Sequence, residues 1–268
     1  MTDSSALTDM LEEYAGNPFI EHLPTEPQPE DIMRTLDKPP VWSENDRMRR
    51  SGQRWHCIMR LANDYSQPTV SAIEFGMYLD LVIKRGYVGR NPATTDYVRG
   101  LELVADLGAR IDSGTKWAEL DLTPHFHTSL GFAALGTPGS GKTHAVEAAC
   151  KRYKQVIRHV TPMQLYQIVW LRIECPPNGN PKGLCEFFFQ QVDLALRKEG
   201  VNSGYARQYR GKTLDVMMAG MARVASLHAI GVLIVDEIQN VKKENQDLKA
   251  SVLNFLVTMR NMIGIPVG

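Results

Sequence analysis

The octet Gly136-Thr137-Pro138-Gly139-Ser140-Gly141-Lys142-Thr143 matches the phosphate-binding pattern G-x-x-x-x-G-K-[ST] in full. The spacing has a chemical reason. Glycines let the backbone curl with its N–H groups pointing inward, so a polyphosphate meets a nest of donors and the positive end of a helix. Lys142 can then reach the β/γ-phosphates, and the Thr143 hydroxyl can ligate Mg²⁺. The candidate nucleotide contact runs on to His144. A glycine-rich turn with a stray lysine would carry the same letters, but the context argues against it. An apolar run, Leu130-Gly131-Phe132-Ala133-Ala134-Leu135, leads in as an expected buried strand, and Ala145-Val146-Glu147-Ala148-Ala149-Cys150 leads out as an expected helix.

A second chemical signal lies at Gly231-Val232-Leu233-Ile234-Val235-Asp236-Glu237. The β-branched and apolar run suits a fully buried parallel strand, and it ends in two adjacent carboxylates. In a doubly wound sheet the loop and these carboxylates both emerge at the carboxyl ends of strands, where ligands bind. Asp236 is the candidate for the Mg²⁺ hydration shell. Glu237 is the candidate to orient and deprotonate an attacking water. A strand ending in Asp-Glu says little alone; downstream of a complete phosphate loop it says much more. ATP with Mg²⁺ is the cofactor pair these residues imply.

The rest of the chain must position these groups. Its 268 residues suffice for one large domain or two smaller ones, and 43% hydrophobic with 22% charged residues is ordinary for a globular protein. Lys+Arg 30 balances Asp+Glu 30, so no whole-chain basic field announces nucleic acid and any such contact is local. The four cysteines (Cys57, Cys150, Cys175, Cys185) lack metal-ligand spacing and read as buried thiols in a reducing, cytoplasmic setting. No signal peptide or membrane-length apolar run is seen, so no membrane is expected as partner.

Three regions follow. Residues 1–45 read as a proline-rich arm, extended between residues 25 and 40 rather than helical. Its patch Phe19, Ile20, Leu23 is either part of a passive linker or a docking peptide. Residues 46–115 read as mainly helical. Arg47, Arg49, Arg50, Arg54 and Arg60 interleave there with Met48, Trp55, Ile58 and Met59, either as a solvated face or against a phosphate backbone. Ile73, Met77, Leu81 and Lys84 recur at helical spacing up to Gly86. Residues 94–96 then cap a helix reaching Leu107. Residues 116–268 read as the P-loop core. Within it, residues 168–174 are expected as a strand and 181–198 as a helix with Leu184, Phe187, Phe188, Val192, Leu194 and Ala195 on its apolar face. Residues 214–228 and 248–262 are expected as further helices, and a new strand begins near residue 263. His125 and His127 alternate before the loop without a third ligand, and read as turn histidines.

The loop, the strand 232–237 with Ile238-Gln239 after it, and Asn254-Phe255-Leu256-Val257-Thr258-Met259 before Ile263-Gly264-Ile265-Pro266-Val267 resemble the TnsC/TniB family of AAA+ ATPases, which regulate target-selecting transposons. Asn17-Pro18-Phe19-Ile20-Glu21 and Gly86-Tyr87-Val88-Gly89-Arg90-Asn91-Pro92 fit that family too. The resemblance implies an α/β AAA+ P-loop NTPase sheet behind a mainly helical N-terminal extension. Tyr87, Val88 and Gly89 resemble the box that packs against adenine. The family assembles ATP-dependent rings or filaments on double-stranded DNA and links a target selector of TnsD or TniQ type to a transposase of TnsA and TnsB type. Lys182, Arg207 and Arg210 are candidate DNA contacts. A replication initiator or helicase loader is the alternative reading. The family's sheet places the loop strand beside the strand beginning near residue 263. A sensor residue, an arginine finger and a helical lid are expected beyond Gly268, so the sequence reads as truncated and weak in hydrolysis.

Overall fold

The computed structural model describes residues 10–120, 130–137, 139–176, 180–238, 256–257, 260 and 264–268, and all statements below concern these. In chain order the helices are α1 (Pro18–Glu21), α2 (Pro29–Leu36), α3 (Ser51–Asp64), α4 (Val70–Val88), α5 (Thr95–Asp112), α6 (Lys142–Cys150), α7 (Pro181–Arg197), α8 (Tyr205–Tyr209) and α9 (Leu214–Leu227). The strands are β1 (Val156–His159), β2 (Leu165–Ile168), β3 (Trp170–Glu174) and β4 (Val232–Asp236). The chain divides into two compact units, one formed by residues 1–25, 81–135 and 153–268, the other by residues 26–80 and 136–152.

The first unit holds the sheet. β3 and β4 pair in parallel from Trp170↔Val232 to Glu174↔Asp236. Val267 bridges in parallel to Leu233 on one side and to Gly131 on the other. Residues 265–268 therefore lie between β4 and the segment that approaches the phosphate loop, the order the resemblance implies. β1 and β2 form an antiparallel hairpin, and only Val169 separates β2 from β3. An apolar run before Asp236 is what this central place of β4 demands: Val232, Leu233 and Ile234 are buried.

Helices α5, α7 and α9 supply the core against these strands. Asn180 caps α7 by accepting from the Lys182 amide, and Pro181 takes the first helical position. Its buried face is Leu184, Cys185, Phe188, Phe189, Val192, Ala195 and Leu196. Leu194, expected inside, is exposed, and Phe187 is only half-buried. The helix turns about 100° per residue, which puts Phe188, Phe189 and Val192 on one stripe and their neighbours at its margin. Each such fully buried side chain contributes about 2–3 kcal/mol.

The N-terminal patch is neither linker nor exposed docking peptide in this fold. Phe19 and Ile20 are buried, and the Phe19 ring meets Tyr87, Tyr97 and His159 with centroids 5.4, 5.6 and 5.4 Å away. Asn17 caps α1 by accepting from the Phe19 amide and donates to the Tyr87 carbonyl at 2.8 Å. α4 also runs past its expected end at Gly86. The Pro266 ring stands where a Cβ of Gly86 would be, 2.6 Å from it, so this glycine serves close approach rather than termination. Leu81, expected on the apolar face of α4, is exposed.

In the second unit, Ile32 and Leu36 of α2 pack with Ala148 of α6 and with Ala72, Ile73 and Met77 of α4. That α2 exists at all departs from the extended chain expected there. Pro29 occupies the first helical position, and the Gln28 amide donates to Asp31 Oδ2 at 3.0 Å, so the proline starts the helix instead of preventing it. α3 is different: its described side chains are exposed or half-exposed, Trp55, Ile58 and Met59 included. His125, His127 and most of the expected helix 248–262 lie outside the described residues, though residues 256–257 and 260 are helical. No helix among the described residues is long and apolar enough to cross a membrane.

Gly231 supplies a stability test. A Cβ there would stand 2.3 Å from the Val169 carbonyl oxygen and 2.6 Å from the Tyr87 hydroxyl. Backbone on one side leaves no room to yield, so Gly231→Ala is expected to lower unfolding free energy in urea by about 2–3 kcal/mol. A second test is pH. Burial lowers the pKa of His228 and of His159. His228 lies between the Tyr166 carbonyl at 3.0 Å and the Tyr205 hydroxyl at 2.9 Å, an arrangement suited to a neutral ring. The unfolded chain therefore takes up protons that the folded chain resists. Stability is full above about pH 6.5 and is lost as pH falls toward the depressed folded values. Urea midpoints should decline between about pH 7 and 5.5, and His228→Gln should flatten that slope.

Candidate functional site

The phosphate loop belongs to the second unit. Gly139 and Gly141 have φ of +79° and +80°, the left-handed region that side-chain-bearing residues avoid, so the glycines are required by the curl itself. Gly136 is required for another reason: a Cβ there would lie 2.8 Å from Ser140 Oγ. Gly141 directly precedes α6, whose first residue is Lys142. The Lys142 ammonium turns back into the loop and donates to the carbonyls of Gly136 and Thr137, both at 2.9 Å. His144 shares a 3.0 Å hydrogen bond between its Nε2 and Ser66 Oγ, which tethers the first turn of α6. Pro138 lies outside the described residues.

A polyphosphate fits this donor set. Opening turns of helices leave amides without intrahelical acceptors, the helix dipole favours an anion there, and an ammonium already sits inside the curl. The strand leading in differs from expectation. Gly131 bridges to Val267 and the Phe132 amide donates to its carbonyl at 3.2 Å, but Ala133, Ala134 and Leu135 are exposed, Leu135 at 92%. Val267 meets Gly131 and Phe132, and among the described residues no strand pairs with residues 133–135.

The carboxylates belong to the first unit, at the carboxyl end of β4. Asp236 Oδ2 accepts from Arg172 of β3 at 2.9 Å, and its Oδ1 accepts from the Glu237 amide at 2.8 Å. Glu237 is exposed and has φ of +57°, a conformation that costs a non-glycine residue about 1–2 kcal/mol. Two hard oxygen donors at a strand end, one in strained backbone, suit a hydrated Mg²⁺ and a water-directing base.

An AAA domain matches residues 128–267, just over half of the chain, spanning the loop, α6 and β4. The chain belongs to the AAA domain family. No match was found among curated proteins. As an AAA domain the chain is a P-loop NTPase fold, a nucleotide-binding ATPase module.

Several other residues of this AAA protein can now be placed. Tyr87 is fully buried: its hydroxyl donates to the Ala229 carbonyl at 2.7 Å, and burial pushes its pKa upward. Arg90 is buried beside it, with its guanidinium carbon 4.9 Å from the Tyr87 ring centroid. Arg90 donates through Nη1 to the Ile230 carbonyl and through Nε to the Gly86 carbonyl, both at 2.7 Å. Tyr87 and Arg90 thus brace the turn that feeds β4, while Val88 and Gly89 are half-buried. Arg207 and Arg210 are exposed and Lys182 is half-exposed. Asp46 lies within 2.7 Å of Arg49 and 3.8 Å of Arg60, and Arg47 stacks over Trp42 at 5.4 Å.

Sequence reasoning passed over Arg172, Arg90 as a brace, and Ser66. Arg172 left a signal, a lone charge inside the apolar strand 170–173. The pair it forms with Asp236 is mostly shielded, with side-chain exposures of 23% and 22%. Arg172→Ala is expected to lower unfolding free energy by about 1–2 kcal/mol in urea titrations, because a mostly shielded ion pair loses one partner.

Proposed function

We propose that this AAA protein is an ATP-dependent, double-stranded-DNA-associated regulator of transposition of the TnsC/TniB kind. It would link a target selector of TnsD or TniQ type to a transposase of TnsA and TnsB type. The observation that carries the reading is the set of TnsC-like runs at residues 17–21, 86–92, 254–259 and 263–267 around a complete phosphate loop in an AAA domain.

In this reading residues 136–144 hold the phosphates of ATP. Lys142 exchanges its loop carbonyls for β/γ-phosphate oxygens, and the Thr143 hydroxyl and Asp236 carboxylate hold Mg²⁺. When bound there, Mg²⁺ would supply charge neutralisation for the phosphoryl group, with Thr143 and Asp236 as the residues that would hold it. Glu237 orients the attacking water and accepts its proton. The segment Tyr87-Val88-Gly89 meets adenine through Val88 and Gly89, with Tyr87 fixing their position from behind. ATP binding assembles copies of the chain into a ring or filament on duplex DNA, and hydrolysis releases it. Lys182, Arg207 and Arg210 are the proposed phosphate-backbone contacts.

The test is duplex binding with ATP, a slowly hydrolysed analogue and ADP, for wild type, Lys142→Ala and Glu237→Gln. The analogue should drive oligomers onto duplex, in a salt-sensitive manner, and Lys142→Ala should abolish them. Glu237→Gln should retain them while hydrolysis falls by roughly a hundredfold. Preference for single-stranded DNA would move the assignment to a replication initiator or helicase loader, the reading favoured by the initiator-like box at residues 87–90. Binding indifferent to nucleotide would reject both.

A further inference from the structure

A second polar site lies within the first unit, on the face formed by α5, α8 and α9. A cleft of about 250 Å³ opens there, lined among others by Gly108, Asp112, Gln208, Tyr209, Lys212 and Arg223. Small-molecule sites are clefts of this order or larger with a few convergent polar groups. Among the described residues, the side chains of Asp112, Gln208, Lys212 and Arg223 make no hydrogen bond or ion pair, and neither does the Tyr209 hydroxyl.

The cleft has a rigid wall. The Tyr209 ring stacks on Phe189 with centroids 4.2 Å apart and planes 8° from parallel, and Gly220 approaches so closely that its Cβ would stand 2.3 Å from the ring. Tyr209 is buried as a residue but its hydroxyl is open to the cleft, where it can donate; burial raises its pKa. The two glycines of the wall differ. Gly220 is forced by Tyr209, but nothing lies within 4 Å of where a Gly108 Cβ would be. Glycine weakens a helix interior, and no neighbour requires one at this position in α5. What it supplies is open volume.

Asp112, Gln208, Lys212 and Arg223 are all exposed along the cleft, and two cations outnumber one carboxylate there, which favours a negatively charged guest while keeping an acceptor for a donor group. We propose that it binds a small anionic molecule, with a phosphate or carboxylate held by Arg223 and Lys212 and an adjoining ammonium or hydroxyl held by Asp112 and Gln208. Arginine and lysine gain most where a charged oxygen replaces water on both. The Tyr209 hydroxyl donates to the same anionic group. This site is separate in chemistry from the phosphate loop, which relies on backbone amides and one lysine.

Calorimetric titration of the full chain tests the proposal, with inorganic phosphate, glycerol 3-phosphate and L-glutamate as separate probes. Phosphate also suits the loop, so each titration is repeated in Lys142→Ala. Binding of at least one probe should persist in Lys142→Ala and weaken roughly tenfold or more in Arg223→Gln. Glycerol 3-phosphate over glutamate names a phosphorylated ligand, and the reverse order names an amino-acid-like one. Gly108→Leu should fill the cleft and remove binding while helix content by circular dichroism is kept or raised, which separates blockage from unfolding. Loss of all binding in Lys142→Ala, or equal binding in wild type and Arg223→Gln, would overturn it.

Discussion

The grip of Tyr87 and Arg90 on the turn before β4 is the constraint on which this protein's sheet depends. Both side chains are buried, and their donors satisfy the carbonyls of Ala229 and Ile230, which precede the strand. Ala229 has φ of +40° and Gly231 is crowded by the Val169 carbonyl, so this turn is not one the chain would adopt unaided. Burying a guanidinium is costly, and burial lowers the Arg90 pKa accordingly. Its Nη2 has no hydrogen-bond partner, so the cost is only partly offset by two carbonyls and the Tyr87 ring. A well-packed apolar side chain could match that energy. It could not select one position for two carbonyl oxygens, and that selection sets the start of β4 against β3.

From that start the chemistry at the far end follows by register. Five parallel pairs run from Trp170↔Val232 to Glu174↔Asp236, so the brace and the carboxylate are two ends of one straight element. A slip of one residue would reverse every side chain in β4 and turn Asp236 inward. Arg172, two residues before the end of β3, then meets Asp236 from the neighbouring strand. Tyr87 and Arg90 are thus tied mechanically, through β4, to the Asp236-Glu237 pair at its other end.

What the sequence revealed about this fold depends on the range of the interactions involved. The phosphate loop was legible because its demands are local: positive φ at Gly139 and Gly141, a helix start at Lys142, and a lysine to face the anion. β4 and α7 were legible because burial writes itself into runs and stripes. Gly86 was misleading. It reads as a helix stop, and only the ring of Pro266, far along the chain, explains why α4 passes through it. The prolines of residues 24–40 misled in the opposite sense, since Pro29 opens α2 where composition suggested extended chain. Phe19 looked stranded because its partners, Tyr97 and His159, are distant in sequence.

The segment 130–135 shows the same limit from the side of function. Its letters describe a buried strand, and at Gly131 and Phe132 it behaves as one. A strand at the centre of a parallel sheet is held by neighbours on both sides, and burial at each residue requires a neighbour at that height. Val267 stands beside Gly131 and Phe132, while Ala133 to Leu135 are exposed among the described residues. The catalytic loop begins one residue later. Binding of phosphate by such a loop draws on its local curl, where the positive φ at Gly139 and Gly141 is met by glycine itself and not by neighbouring strands.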